Sequence, residues 1–255
     1  MFETTRSDGV CRIFRPETRW LSTGYDGGES RGPVAYNVTV PEGWPETDLD
    51  SYVERRLADA GFDARGPALL TGVDQRHARR ARYGPVEAIA TAGVSNPAAL
   101  PTEFDDGGRE NTAVDAVDGS DETGGPDELG GPAADDVGTV NVVVGTTRSL
   151  EPGALANLVA VAAEAKAATL LSRCGSPGTT TDAIVAACDP SGETAAFSGS
   201  ATPVGNAARI CVRDAIVASL DARYATDPIP QSVEAAAYGV VADARATVTQ
   251  VQRRR

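Results

Sequence analysis

Apolar and polar residues alternate through much of the first forty positions, the two-residue period of strands with one covered face. The pattern predicts strands over residues 10–14, 19–22 and 33–40, the last in the run PVAYNVTV. After PEGWPE, a turn by composition, Leu49, Tyr52, Val53 and Leu57 fall at helical spacing and predict a helix over 48–60 that Gly61 stops. Short apolar runs at 67–73 (PALLTGV) and 86–92 (VEAIATA) read as buried strands, with the basic stretch 76–82 between them. GTVNVVVGT at 138–146 is almost continuously β-branched, which predicts a central strand covered on both faces. Residues 150–171 predict a helix with Pro152 in its first turn and small apolar residues suited to close packing on a sheet. A strand pair at 182–187 and 193–197, joined by the turn DPSG, and helices over 203–224 and 232–248 complete the pattern. These elements predict one α+β (mixed α/β) domain over 1–255, a layered sandwich of two packed β-sheets flanked by helices.

One stretch breaks the pattern. Residues 102–136 hold twelve acidic side chains against the single Arg109, so they carry −11 of the chain's net −13. They contain too few large apolar residues to offset the entropy of ordering, and the expectation is a long, disordered acidic insertion. The net charge opposes binding to phosphate backbones, which argues against nucleic-acid partners. One lysine stands beside 22 arginines, a skew that, with the acidity, points to a salt-adapted archaeal source; screening at high salt lowers the cost of self-repulsion. MFETTRSDGV lacks the basic start and apolar run of an export signal, and about 18 consecutive apolar residues occur nowhere, so the chain reads as soluble, cytoplasmic and without membrane contact.

Cys11, Cys174, Cys188 and Cys211 are scattered and show no zinc or redox spacing, which predicts buried free thiols in a reducing compartment. His77 is the single histidine, so a His-rich metal site within one chain is impossible; no metal site is expected, and a metal-free mechanism gains weight. In DQRHARRAR it reads as a surface residue, and the arginines around it as a solvated face or a counterweight to the acidic segment.

Four local patterns occur in order: TAGVSN at 91–96, GTVN at 138–141, EAKAATL at 164–170 and GTTTD at 178–182; SGSATPVG at 198–205 forms a fifth. Together they resemble the adenosylcobinamide amidohydrolase family, over roughly residues 85–220 with the acidic stretch set aside. Ser176-Pro177 before Gly178, and the 35-residue acidic interruption, depart from the family pattern. The resemblance implies hydrolysis of the amide joining aminopropanol to a corrin side chain of adenosylcobinamide, giving adenosylcobyric acid for cobalamin salvage. No cofactor of the protein's own is implied, because cobalt arrives with the corrinoid substrate. Whether the chain self-associates is left open.

Amide hydrolysis needs a nucleophile, donors for the developing oxyanion and an acid for the departing amine. Residues 178–181 (Gly178, Thr179, Thr180, Thr181) offer hydroxyls and backbone N–H groups; an ordinary strand-entry turn capped by Asp182 is the bland alternative. Glu164 and Lys166 point about 200° apart on their helix, so at most one faces the sheet. Either would otherwise be a solvated surface charge, yet the alanines around them leave room for close approach. With the resemblance, Glu164, Lys166, Thr181 and Asp182 are the candidate catalytic residues. Asn96, Asn141, Gly178, Thr179, Thr180, Thr202 and Gly205 are the candidate substrate contacts. Thr91, Ser95, Thr179, Thr181 and a water activated by Asp182 or Glu164 all remain open as nucleophile. The absence of G-x-S-x-G and of G-x-x-x-x-G-K-[ST] argues against a Ser-His-Asp hydrolase and against P-loop chemistry. A non-catalytic corrinoid carrier and a threonine-nucleophile acyltransferase are the competing readings.

Overall fold

The computed structural model describes residues 1–40, 48–102 and 138–251. The turn read at 41–46 and the acidic insertion from residue 103 onward lie outside the described residues.

Alternation at the N-terminus produces β1 (Glu3–Ser7), β2 (Val10–Ser22) and β3 (Gly28–Thr39). Helix α1 (Leu49–Asp59) follows, its start held by Asp48, whose side chain accepts from Ser51 N at 3.1 Å. Then come β4 (Ala68–Thr71), β5 (Arg79–Tyr83), β6 (Val86–Ala92) and the two-residue β7 (Ala98–Ala99). Beyond the acidic segment lie β8 (Val140–Thr146), β9 (Ser149–Leu150) and helix α2 (Pro152–Cys174). The chain closes with β10 (Ala183–Cys188), β11 (Thr194–Ala195), α3 (Pro203–Arg223) and β12 (Val240–Val241). Proline opens both α2 and α3, where its missing N–H costs nothing.

The principal sheet runs β4-β3-β2-β10-β8-β6-β5, with β1 on β2. The pairs β3/β4 and β8/β10 are parallel and the rest of the sheet is antiparallel. This one sheet folds back on itself. Cys11, Ile13, Ala35 and Leu69 from one half share a core with Ile89, Val143, Val185 and Ala187 from the other, around Phe2 and Trp20, whose rings stack 5.6 Å apart. The bend coincides with a register shift between Phe14 and Thr18, where Glu17 has φ +50°. Such a bulge changes which side chains point inward, so the inner face passes from Cys11 and Ile13 to Trp20 along a single strand.

Helices cover both outer faces. Tyr52, Val53 and Leu57 of α1 pack on Val34, Tyr36 and Val38. Leu155, Leu158 and Val161 of α2 and Ala208, Val212 and Ile216 of α3 pack on β6, β8 and β10. The expected two layers of sheet with helices outside are therefore present, built from one connected sheet. By length and apolar composition α2 could also span a bilayer; in this fold one face of it lies on the sheet.

Two expectations need correction. Residues 232–248 form no helix: backbone N–H groups of Tyr238, Val240 and Ala242 donate to the carbonyls of Ser95, Pro97 and Ala99, and almost no apolar face is buried there to favour a helix. The strand at 193–197 shrinks to β11 and pairs with β9, not with β10. All four cysteines are buried and free, as expected. Burial pushes the Cys11 and Cys211 thiols up to about 11.

Candidate active site

Topology brings three strand ends together. Because β6 is antiparallel to β8, the end of β6 lies beside the start of β8; because β8 and β10 are parallel, their starts lie side by side. TAGVSN, GTVN and GTTTD occupy these ends. Helix α2 crosses the same region and delivers Lys166.

Asp182 is the hub. Its Oδ1 accepts from Val140 N at 2.8 Å and from the Thr179 hydroxyl; its Oδ2 accepts from Thr179 N at 3.0 Å and from Lys166 Nζ. The Lys166 and Asp182 side chains are only 12% and 9% exposed. A carboxylate that accepts from four donors is fixed in orientation, so Asp182 anchors its neighbours and has little acceptor capacity left for a water. Gly178 makes room for the pair: a Cβ there would stand 2.6 Å from Asp182 Oδ2 and 2.9 Å from Lys166 Nζ. Gly138 is constrained likewise, since its Cβ would meet Ser95 N at 2.5 Å and Gly93 O at 2.6 Å.

The three threonines diverge. Thr179 turns inward to Asp182; the Thr180 hydroxyl accepts from Asn96 Nδ2 at 2.6 Å; Thr181 Oγ1 lies 2.8 Å from Thr139 Oγ1. Thr180 and Thr181 are exposed, whereas Asn96 is buried with Oδ1 unpartnered. Backbone bonds fasten the two loops together, from Thr180 N to Asn96 O at 3.3 Å and from Ala98 N to Gly178 O at 2.9 Å. The C-terminal end of α3 supports the same loop: Ala92 N donates to Ser219 Oγ and Val94 N to Tyr224 Oη, both at 2.9 Å.

Not every candidate arrives. Glu164 is 62% exposed in its side chain and pairs with Arg209 at 3.3 Å, on the helix side away from Lys166. Asn141 and Thr91 face the opposite side of the sheet, inside the sandwich, where Asn141 Nδ2 donates to Asn37 Oδ1 at 3.0 Å and Asn37 Nδ2 to Thr91 Oγ1 at 2.9 Å. Gln75 joins this interior cluster through Asn37 and Thr39. With exposures of 1% and 0%, Asn141 and Thr91 are closed to a large substrate. Thr202 and Gly205 form the cap of α3, with Gly205 N donating to Thr202 Oγ1 at 3.0 Å. α3 supports the site loop through Ser219 and Tyr224, and a rise of 1.5 Å per residue puts Thr202 roughly 25 Å back along the helix from Ser219. It borders a separate cavity of about 570 Å³ that also takes in Asn157 and Phe197.

Thr139, Asn37 and Gln75 were not singled out by sequence. Asn37 had a signal, a polar amide at an inward position of an alternating strand; Gln75, within a basic run, had none.

A sequence profile described as adenosylcobinamide amidohydrolase matches residues 1–228. The chain belongs to this family. An adenosylcobinamide amidohydrolase of Halobacterium salinarum is 55% identical over 250 residues, covering 97% of this chain and 99% of that protein. A second, from Methanosarcina mazei, is 24% identical over 221 residues, covering 83% and 94%. The four motifs through which the sequence resembles the amidohydrolase family are those whose ends meet around Asp182, although GTVN reaches the cluster through Thr139 and Val140 and EAKAATL through Lys166 alone.

Proposed function

We propose that this chain hydrolyses the amide joining aminopropanol to the corrin ring of adenosylcobinamide, releasing adenosylcobyric acid for cobalamin salvage. The observation that carries the reading is the meeting of Lys166, Asp182, the three threonines and Asn96 at one set of strand ends, in a chain 55% identical to an adenosylcobinamide amidohydrolase. Lys166 is fixed by Asp182, and an ammonium with three N–H donors keeps two beyond that bond for a carbonyl oxygen that gains charge as water adds. Thr180 accepts from Asn96, which leaves its own O–H to donate to a corrin amide. One water is consumed: its oxygen enters the new carboxylate, and the departing amine nitrogen ends protonated as aminopropanol leaves. Glu164 has no part in this reading, and neither do the buried Asn141 or the distant Thr202 and Gly205.

The reading requires no cofactor bound by the protein, because cobalt comes with the substrate. It places the enzyme in a reducing cytoplasm, in keeping with four buried free thiols, and in a salt-adapted archaeal setting, in keeping with the net charge of −13 and the Halobacterium relative. The test is mass spectrometry of the purified protein incubated with adenosylcobinamide at high salt. Adenosylcobyric acid and free aminopropanol in equal amounts are expected. Tight binding with unchanged substrate would instead establish a corrinoid carrier, and a covalent threonine adduct an acyl-transfer enzyme.

A further inference from the structure

The loop that holds Asn96 is the middle strand of a three-part strip. Toward the GTTTD loop it presents Asn96 O, which accepts from Thr180 N, and Ala98 N, which donates to Gly178 O. Away from that loop the carbonyls of Ser95, Pro97 and Ala99 accept, each at 3.0 Å, from the backbone N–H groups of Tyr238, Val240 and Ala242. Here β12 runs parallel to β7, Val240 beside Ala98 and Val241 beside Ala99. Pro97, with no N–H, fits a strand whose outer edge is read through its carbonyls. The C-terminal segment is moored at its other end, where Gln231 Nε2 donates to Arg173 O at 3.0 Å beside the end of α2. Gly239 lets it lie close: a Cβ there would meet Pro97 O at 2.8 Å and Val233 Cγ1 at 2.9 Å.

From this geometry we infer that the chain beyond residue 228, outside the residues matched by the family profile, is a positioning strap for the candidate site. It fixes the 95–99 loop and, through that loop, the register of Asn96 against Thr180. Its grip on 95–99 is made by backbone atoms, while Val240 and Val241 remain 53% and 45% exposed, so beyond Gln231 and Gly239 it asks little of side-chain identity. Similarity to the Halobacterium protein covers 97% of the chain and therefore continues past residue 228 into the strap. A short, exposed strand held by few bonds belongs to the weakly protected part of a fold. Losing it leaves the helices and the large sheet intact and loosens the site alone.

The catalytic half of this inference rests on the amidohydrolase reading; the positional half does not, and the experiment separates them. Two variants are compared with the full chain: Gly239→Val, and a chain ended after residue 228. Hydrogen–deuterium exchange is followed over residues 94–100 and 177–182, with α3 as an internal control. At least tenfold faster exchange of the Ala98 and Thr180 amides is expected in both, with α3 unchanged. For adenosylcobinamide turnover, kcat is expected to fall about tenfold or more, since small misplacements at a reacting site are costly, with a smaller change in KM. Added peptide 229–251 is expected to restore activity to the shortened chain. Unaltered exchange at both amides in the shortened chain, or in Gly239→Val if the shortened chain does not fold, overturns the strap. Faster exchange in the two variants, with no hydrolase activity in the full chain itself, would keep the strap and remove the proposed reaction.

Discussion

Lys166 and Asp182, sixteen positions apart on α2 and at the mouth of β10, form an ion pair over Gly178 in which the carboxylate also takes both the N–H and the hydroxyl of Thr179. Asp182→Asn leaves the ammonium largely buried and unmatched and gives Thr179 a poorer acceptor. Breaking one side of a buried pair costs about 3 kcal/mol, to be read as a lowered midpoint in urea unfolding, and adenosylcobinamide turnover is expected to fall at least tenfold.

Gly178→Ala probes the same pair without touching either charge. The added methyl would stand 2.6 Å from Asp182 Oδ2 and 2.9 Å from Lys166 Nζ, so the pair must separate or the loop must move. Overpacking of this kind costs about 1–3 kcal/mol. A drop in Tm of several degrees together with a fall in kcat is expected by differential scanning fluorimetry and product assay; unchanged values would mean that the loop yields freely.

Glu164→Gln is expected to be nearly silent. Glu164 shares the EAKAATL motif with Lys166 and was a candidate catalytic residue, but its side chain is 62% exposed and paired with Arg209. Exposed pairs contribute about 0–1 kcal/mol, so kcat within twofold of the unaltered protein and an unchanged melting curve are expected.

The buried thiols set an alkaline limit. Cys11 and Cys211 are raised by burial from 9.0 to about 11. The folded state therefore holds these protons more tightly than the unfolded chain. Their contribution is fully present below pH 9 and is lost as pH rises from 9 towards 11, because the unfolded thiols ionise first. Urea midpoints measured across pH 8–11 should fall through that window, and a thiol reagent at pH 8 should label all four cysteines only after unfolding.

Periodicity foretold the strongest elements, namely α1, α2, α3, β6 and β8, because each repeats its apolar residues over two or more turns or pleats. The fold-back was not legible: it turns on Glu17 at φ +50°, and Pro16 beside it marks a bulge without saying that the sheet turns back on itself there. β5 hid among arginines, since an edge strand can carry charge on its open side. Residues 232–248 carry a helical composition that backbone bonds to 95–99 override. At the site, residue spacing established that only one of Glu164 and Lys166 could face the sheet, while the register of α2 selected Lys166. Thr202 was a candidate through the resemblance of SGSATPVG alone; it caps the start of α3, whereas the 92–96 loop is held by the other end of that helix.

The role given to Lys166 is tested most directly by the kcat of Lys166→Met on adenosylcobinamide at high salt, with folding checked by circular dichroism. Removing one donor to a developing oxyanion costs about 10²–10³ in rate, so a loss of at least a hundredfold in a folded protein with little change in KM is the expected result. A folded Lys166→Met protein that turns over within a few-fold of the unaltered enzyme would contradict it and would move the chemistry away from the Asp182 cluster.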